Sequence, residues 1–86
     1  MSKVTHNEAE CRYELEKDGL VSFAAYAKNG DTYDFNHTVV PKELEGQGIG
    51  SELVAGALAD VKAKGGKIEA SCSFVHHYLQ NHPEAA

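Results

Sequence analysis

Apolar residues recur every second position through the first half of the chain and every third to fourth position after a glycine run, so strands come first and a helix follows. Across residues 12–16, Tyr13 and Leu15 alternate with charged neighbours, and Asp18-Gly19 closes that stretch with a turn signal. Residues 20–28 are apolar on both faces apart from Ser22, and Asn29-Gly30 predicts a tight hairpin behind them. Residues 31–40 set Tyr33, Phe35, His37 and Val39 on one face and Thr32, Asp34, Asn36 and Thr38 on the other, a third antiparallel strand that Pro41 ends. After the glycines, Ile49, Leu53, Val54, Ala57, Leu58 and Val61 mark one face of a helix reaching Lys64, with Gly65-Gly66 as its C-terminal cap. Residues 67–72 read as a fourth strand, with Ile68, Ala70 and Cys72 facing one way. It is expected to run parallel to the third because a helix joins them. Residues 74–82 read as a last helix that stops before Pro83. The expected fold is α+β in the order β-β-β-α-β-α, a single domain over residues 1–86 with three antiparallel strands and a parallel fourth.

Composition narrows the class. The chain has 86 residues, enough for one small domain with a thin core. A net charge of −5, with its eight Lys and Arg scattered, lacks the basic stripe that a nucleic-acid backbone requires. No apolar run approaches the length of a membrane span, and residues 1–7 lack the apolar stretch of a secretory signal. The expectation is therefore a cytoplasmic protein, with no membrane or nucleic-acid partner and Cys11 and Cys72 kept as thiols. An exposed sheet edge leaves monomer and weak dimer both open.

The segment Glu45-Gly46-Gln47-Gly48-Ile49-Gly50 stands directly before the long helix. Alternate glycines let backbone approach a ligand closely, and the unpaired N–H groups at a helix start, with the helix dipole, attract a phosphate without a basic side chain. The plainer reading of the same residues is a turn and a helix cap. Neither common nucleotide fingerprint is present. No Lys precedes Ser51 as in a phosphate loop, and too little chain follows for a dinucleotide fold.

These residues resemble the acetyl-CoA-binding motif of the GNAT superfamily of N-acetyltransferases, Arg/Gln-x-x-Gly-x-Gly/Ala, set after a strand that ends Val39-Val40-Pro41. The likeness extends to the short stand-alone YjdJ-type branch. Phe35-Asn36-His37-Thr38, the run from Leu44 to Ser51, and the run from Cys72 to Pro83 match its Phe-x-His-Thr, Leu-Glu-Gly-Gln-Gly-Ile-Gly-Ser and Cys-x-Phe-Val-x-x-Tyr-x-x-x-His-Pro segments. One departure is Glu45 at the first motif position, where Arg or Gln is usual. A carboxylate repels a pyrophosphate, so Glu45 is expected to point away while backbone amides do the binding. The amino-terminal helices that help form the acceptor site in larger members are also missing.

The resemblance implies acetyl-CoA as acyl donor and an amine acceptor of unspecified identity. It implies Gln47, Gly48, Ile49, Gly50 and Ser51 at the pyrophosphate, and a backbone N–H near Val39 or Val40 on the thioester carbonyl. Cys72 is a candidate nucleophile, activated by the start of the last helix, or a buried structural thiol. His37 is a candidate general base, or a core residue among aromatics. Tyr78 falls where many family members protonate the leaving CoA sulfur, or it anchors the last helix. His76, His77 and His82 lack the carboxylate or cysteine that would complete a metal site, and none is expected. Direct attack by the amine and relay through acetyl-Cys72 both remain open. The alternative to an acetyltransferase is a non-catalytic acyl-CoA sensor or interaction module.

Overall fold

The computed structural model describes residues 4–85. Residues 1–3 and 86, and with them the start of the stretch read for a secretory signal, lie outside the described residues. The strands are β1 (Thr5–Asn7), β2 (Arg12–Lys17), β3 (Leu20–Asn29), β4 (Thr32–Val39) and β5 (Lys67–Ala70), and the helices are α1 (Ile49–Ala63) and α2 (Ser73–Asn81). They form one sheet in the order β1-β2-β3-β4-β5, antiparallel except for the parallel pair β4–β5. The expected β-β-β-α-β-α chain is present, preceded by β1. That strand is too short and too polar to register as a periodic pattern, and it is held by pairing Thr5, His6 and Asn7 with Glu14, Tyr13 and Arg12.

The turns follow their sequence signals. Asp18 and Gly19, both at positive φ, join Lys17 to its partner Leu20. At the next hairpin Asn29 pairs with Thr32, so the two loop residues are Gly30 and Asp31, one position later than the Asn29-Gly30 signal suggests. Helix α1 ends at Lys64 with Gly65 at φ 75°. Gly65 N–H donates to Lys62 O and Gly66 N–H to Val61 O, the paired bonds that satisfy the last helical carbonyls.

Helix α1 covers one face of the sheet. Leu53, Val54, Ala57, Leu58 and Val61 pack there in a core with Tyr13, Leu15, Ala24, Tyr26, Tyr33, Phe35 and Val75. Ser22 is buried in the same layer, and its hydroxyl has no hydrogen-bond partner among the described residues. The far end of α1 is tied to the β1–β2 edge by polar contacts. Tyr13 Oη donates to Asp60 Oδ2 at 2.6 Å, Lys64 Nζ lies 2.7 Å from the same oxygen, and Lys64 also donates to His6 Nδ1 at 2.8 Å. Burial, then the bond to Asp60, raises the Tyr13 phenol above its ordinary range. Burial pushes Tyr26, 2.5 Å from His6 Nε2, up to about 12.

The third expected strand departs from simple alternation. Tyr26 pairs with Phe35, yet Ala25 pairs with His37, so Asn36 is an extra residue in β4, a β-bulge. One added residue reverses which face later side chains occupy. Tyr33 and Phe35 remain in the core, but His37 turns to the open face, where it is exposed with its ring 6.1 Å from that of Phe23. Thr38 takes the core side instead. The grouping of His37 with Tyr33, Phe35 and Val39 on one face, and its reading as a core histidine, are therefore corrected.

Candidate active site

The bulge also changes the direction of the backbone at the end of β4. Asp31 O accepts from Lys67 N–H and Phe35 O accepts from Cys72 N–H, so these odd-numbered peptide groups face β5. Past the extra residue the order inverts, and the Thr38 N–H faces the Cys72 sulfur, while His37, Thr38 and Val39 lie opposite Ala25, Ala24 and Phe23 of β3. The ladder between β4 and β5 ends at Phe35 and Ala70. A gap opens beyond it, where Cys72 enters from the end of β5.

Cys72 is half-buried and stands at the N-cap of α2, and both it and the exposed Cys11 are free thiols. Its Sγ lies 3.5 Å from Thr38 Oγ1. Burial raises the thiol pKa, but the Thr38 hydroxyl and the N–H groups of Val75, Phe74 and Thr38 outweigh that, and the net shift is below the ordinary 9.0. The neutral sulfur makes no regular cap hydrogen bond, so these donors act chiefly on the thiolate.

On the other side of the gap, residues 42–44 form a single 3₁₀ turn that buries Leu44, and the glycine run follows. Gly46 and Gly48 adopt φ of 84° and 75°. A Cβ on either would meet nothing within 4 Å, so glycine is needed there for backbone conformation and not for space. Gly48 caps α1, and the first intrahelical bond is Glu52 N–H to Gly48 O. The amides of Ile49, Gly50 and Ser51 consequently have no acceptor within the helix and stand at its positive end.

The end of β4 and the glycine run with the start of α1 border one cleft. It encloses about 550 Å³ and is lined by residues 38–40, 44–46 and 48–51 together with Phe74. Of the expected binding residues, Val39, Val40, Gly48, Ile49, Gly50 and Ser51 line it. Gln47 does not: it is exposed, with its amide 3.4 Å from Glu43 O. Glu45 is exposed yet lines the cleft, and its own N–H is used by Lys42 O. Among the three expected reacting groups, Cys72 adjoins the cleft through Thr38, His37 lies on the opposite sheet face, and Tyr78 lines a separate groove with Ser51 and Phe74. Sequence reasoning missed Thr38 and Phe74. Thr38 sat in a quoted motif but on the wrong face of an unbulged strand. Phe74 stood in the quoted Cys-x-Phe-Val segment, which carried no sign of its contact: it is 41% exposed and fills the space left by the missing side chain of Gly50.

Among the described residues no three His, Cys, Asp or Glu side chains converge as a metal site, and no helix is long and apolar enough to cross a membrane.

Comparison with known proteins places the fold and the family. The sequence model of a family described as GCN5-related N-acetyl-transferase matches residues 12–86. The chain is similar to the NMR solution structure of a GCN5-like candidate N-acetyltransferase from Staphylococcus aureus. Identity is 27% and the TM-score 0.74, over 99% of this chain and 86% of that one. Among curated proteins there is no match.

Proposed function

The chain belongs to the GCN5-related N-acetyltransferase family, and we propose that it transfers an acetyl group from acetyl-CoA to an amine. The observation that carries this reading is that one cleft joins the unpaired amides at the start of α1 to the end of β4, where Thr38 meets the Cys72 sulfur. The donor supplies an activated acyl group on sulfur. Its pyrophosphate fits the N–H groups of Ile49, Gly50 and Ser51, with Gly46 and Gly48 allowing the close approach. Its extended arm lies along Val39 and Val40, and the N–H of Thr38 or Val40 polarises the thioester carbonyl.

Cys72 is the reacting group best supplied by its surroundings. With donors from Thr38 and from the start of α2 stabilising its thiolate, it can accept the acetyl group from the CoA sulfur and pass it to the amine. His37, on the open face, serves as base for an amine that arrives from that side, and this holds for direct attack as well as for relay.

Titration of acetyl-CoA followed by amide shifts tests the binding half. Changes at residues 38–40, 46–51 and 72 are expected, and their absence at millimolar ligand would sink the proposal. Transfer of labelled acetyl to a panel of amines tests the other half. Loss of transfer in Cys72→Ala with retained binding assigns the relay, and retained transfer assigns direct attack. Tight binding without transfer to any amine would identify an acyl-CoA sensor instead.

A further inference from the structure

Strand β5 is the last in the sheet, and among the described residues no strand pairs with its outer side. In its parallel ladder with β4, Lys67 N–H donates to Asp31 O, so Lys67 and Glu69 direct their peptide groups to β4. Ile68 and Ala70, one step out of phase, direct theirs to the open side. The side chains sort by the same alternation. Lys67 and Glu69 are exposed, while Ile68 and Ala70 are half-buried and pack against the core. Sheets commonly guard a free edge with short strands and charged side chains, which repel a second edge when the charges are alike. Here the two charges are opposite and two residues apart, so this edge does not repel a copy of itself.

We propose that β5 pairs antiparallel with β5 of a second copy of this chain, about a two-fold axis at Ile68. In that register the Ile68 N–H of each copy donates to Ile68 O of the other. Lys67 of each copy then faces Glu69 of the other, which makes two opposite-charge pairs on the open face of the sheet. The neighbouring registers lack this match. An axis at Glu69 sets two carboxylates face to face, an axis at Lys67 sets two ammonium groups so, and an axis at Ala70 leaves Glu69 opposite Ser71. The contact is isologous and closes at two copies. The other free edge, β1, carries Thr5, His6 and Asn7, with no carboxylate or ammonium to complement Lys67 and Glu69, so a β1–β5 chain of copies is not favoured. The pairing uses none of the residues that line the cleft and stands apart from the acetyl-CoA reading.

Self-association is read from translational diffusion and amide shifts by NMR as the native chain is concentrated from micromolar to millimolar. Diffusion should slow toward that of a dimer, with the largest shifts at residues 66–70, and added salt should weaken the effect because the charge pairs are exposed. Lys67→Glu sets carboxylate against carboxylate at both pairs, and Glu69→Lys sets ammonium against ammonium. Each variant alone should therefore associate roughly tenfold more weakly than the native chain. An equimolar mixture of the two variants, and a chain carrying both changes, restore the opposite charges and should recover the native association. A native chain that diffuses as a monomer throughout overturns the proposal. So does association that neither single change weakens, which would place the contact elsewhere. Growth beyond two copies overturns it as well, and so do single variants that neither the mixture nor the double change rescues.

Discussion

Thr38 Oγ1 and Cys72 Sγ stand 3.5 Å apart across the gap between β4 and β5, and they meet because one extra residue in β4 turned Thr38 inward. The hydroxyl donates to the thiolate form, so it holds the proton affinity of Cys72 down against the opposing effect of burial. A folded-state pKa below 9.0 means that the folded chain gains stability as pH rises from that value toward 9.0 and loses it as pH falls back through it.

Thr38→Val keeps the branched shape and deletes the donor. In a Cys11→Ser background, alkylation of Cys72 near neutral pH should slow several-fold, with its pH profile displaced upward. The melting temperature should change little. An unchanged profile would show that the α2 amides alone set the thiol.

Gly50 sits inside a helix, where alanine is ordinarily favoured by about 1 kcal/mol. Its added Cβ would lie 2.6 Å from Phe74 Cζ, so the ring must swing out. Gly50→Ala should destabilise by about 1–3 kcal/mol despite the better helix propensity. Adding Phe74→Ala should make the same substitution neutral or favourable. Equal effects of Gly50→Ala with and without Phe74 would contradict the contact, and urea denaturation of the four proteins in the cycle reads it directly.

Glu45 places a carboxylate on the cleft that the start of α1 also lines, where the proposed pyrophosphate would sit. Glu45→Gln should tighten acetyl-CoA binding about two- to threefold at low salt, the scale of one exposed like-charge contact, and the gain should fade as salt rises. Calorimetric titration at two ionic strengths checks both parts. A loss of affinity would instead assign the carboxylate a positioning role.

His6 lies between Tyr26 and Lys64, and burial first, then the Lys64 charge, lowers its pKa below 6.5, with Asp60 opposing. Protonation would turn the Nδ1 acceptor of the Lys64 bond into a donor. Because the folded pKa is the lower one, the contribution of His6 is complete above pH 6.5 and is lost as pH falls through the folded value. Thermal melts from pH 7.5 to 5 should show a decline that His6→Asn flattens. The same slope in both proteins would locate the acid sensitivity elsewhere.

Alternation around Tyr13, Leu15, Tyr33 and Phe35, the helical spacing from Ile49 to Val61, and the glycines at the turns determine the order of elements by local rules, because each depends on neighbours within a few residues. The glycine turn and the start of α1 were legible for the same reason, since Gly46, Gly48 and the helix start are contiguous in the chain. The occupants of the gap were not. The run Tyr33, Phe35, His37, Val39 alternates without a break, and only the pairing of β4 with β3, a contact between separate strands, inserts Asn36 as a bulge and exchanges His37 for Thr38 beside Cys72. The position of Tyr78 depended likewise on how α2 packs against α1, with Phe74 over Gly50 standing between it and the cleft. Sequence periodicity carries the face of an element only while its register is regular, and the side chains that surround the proposed reacting sulfur sit where tertiary pairing breaks that register.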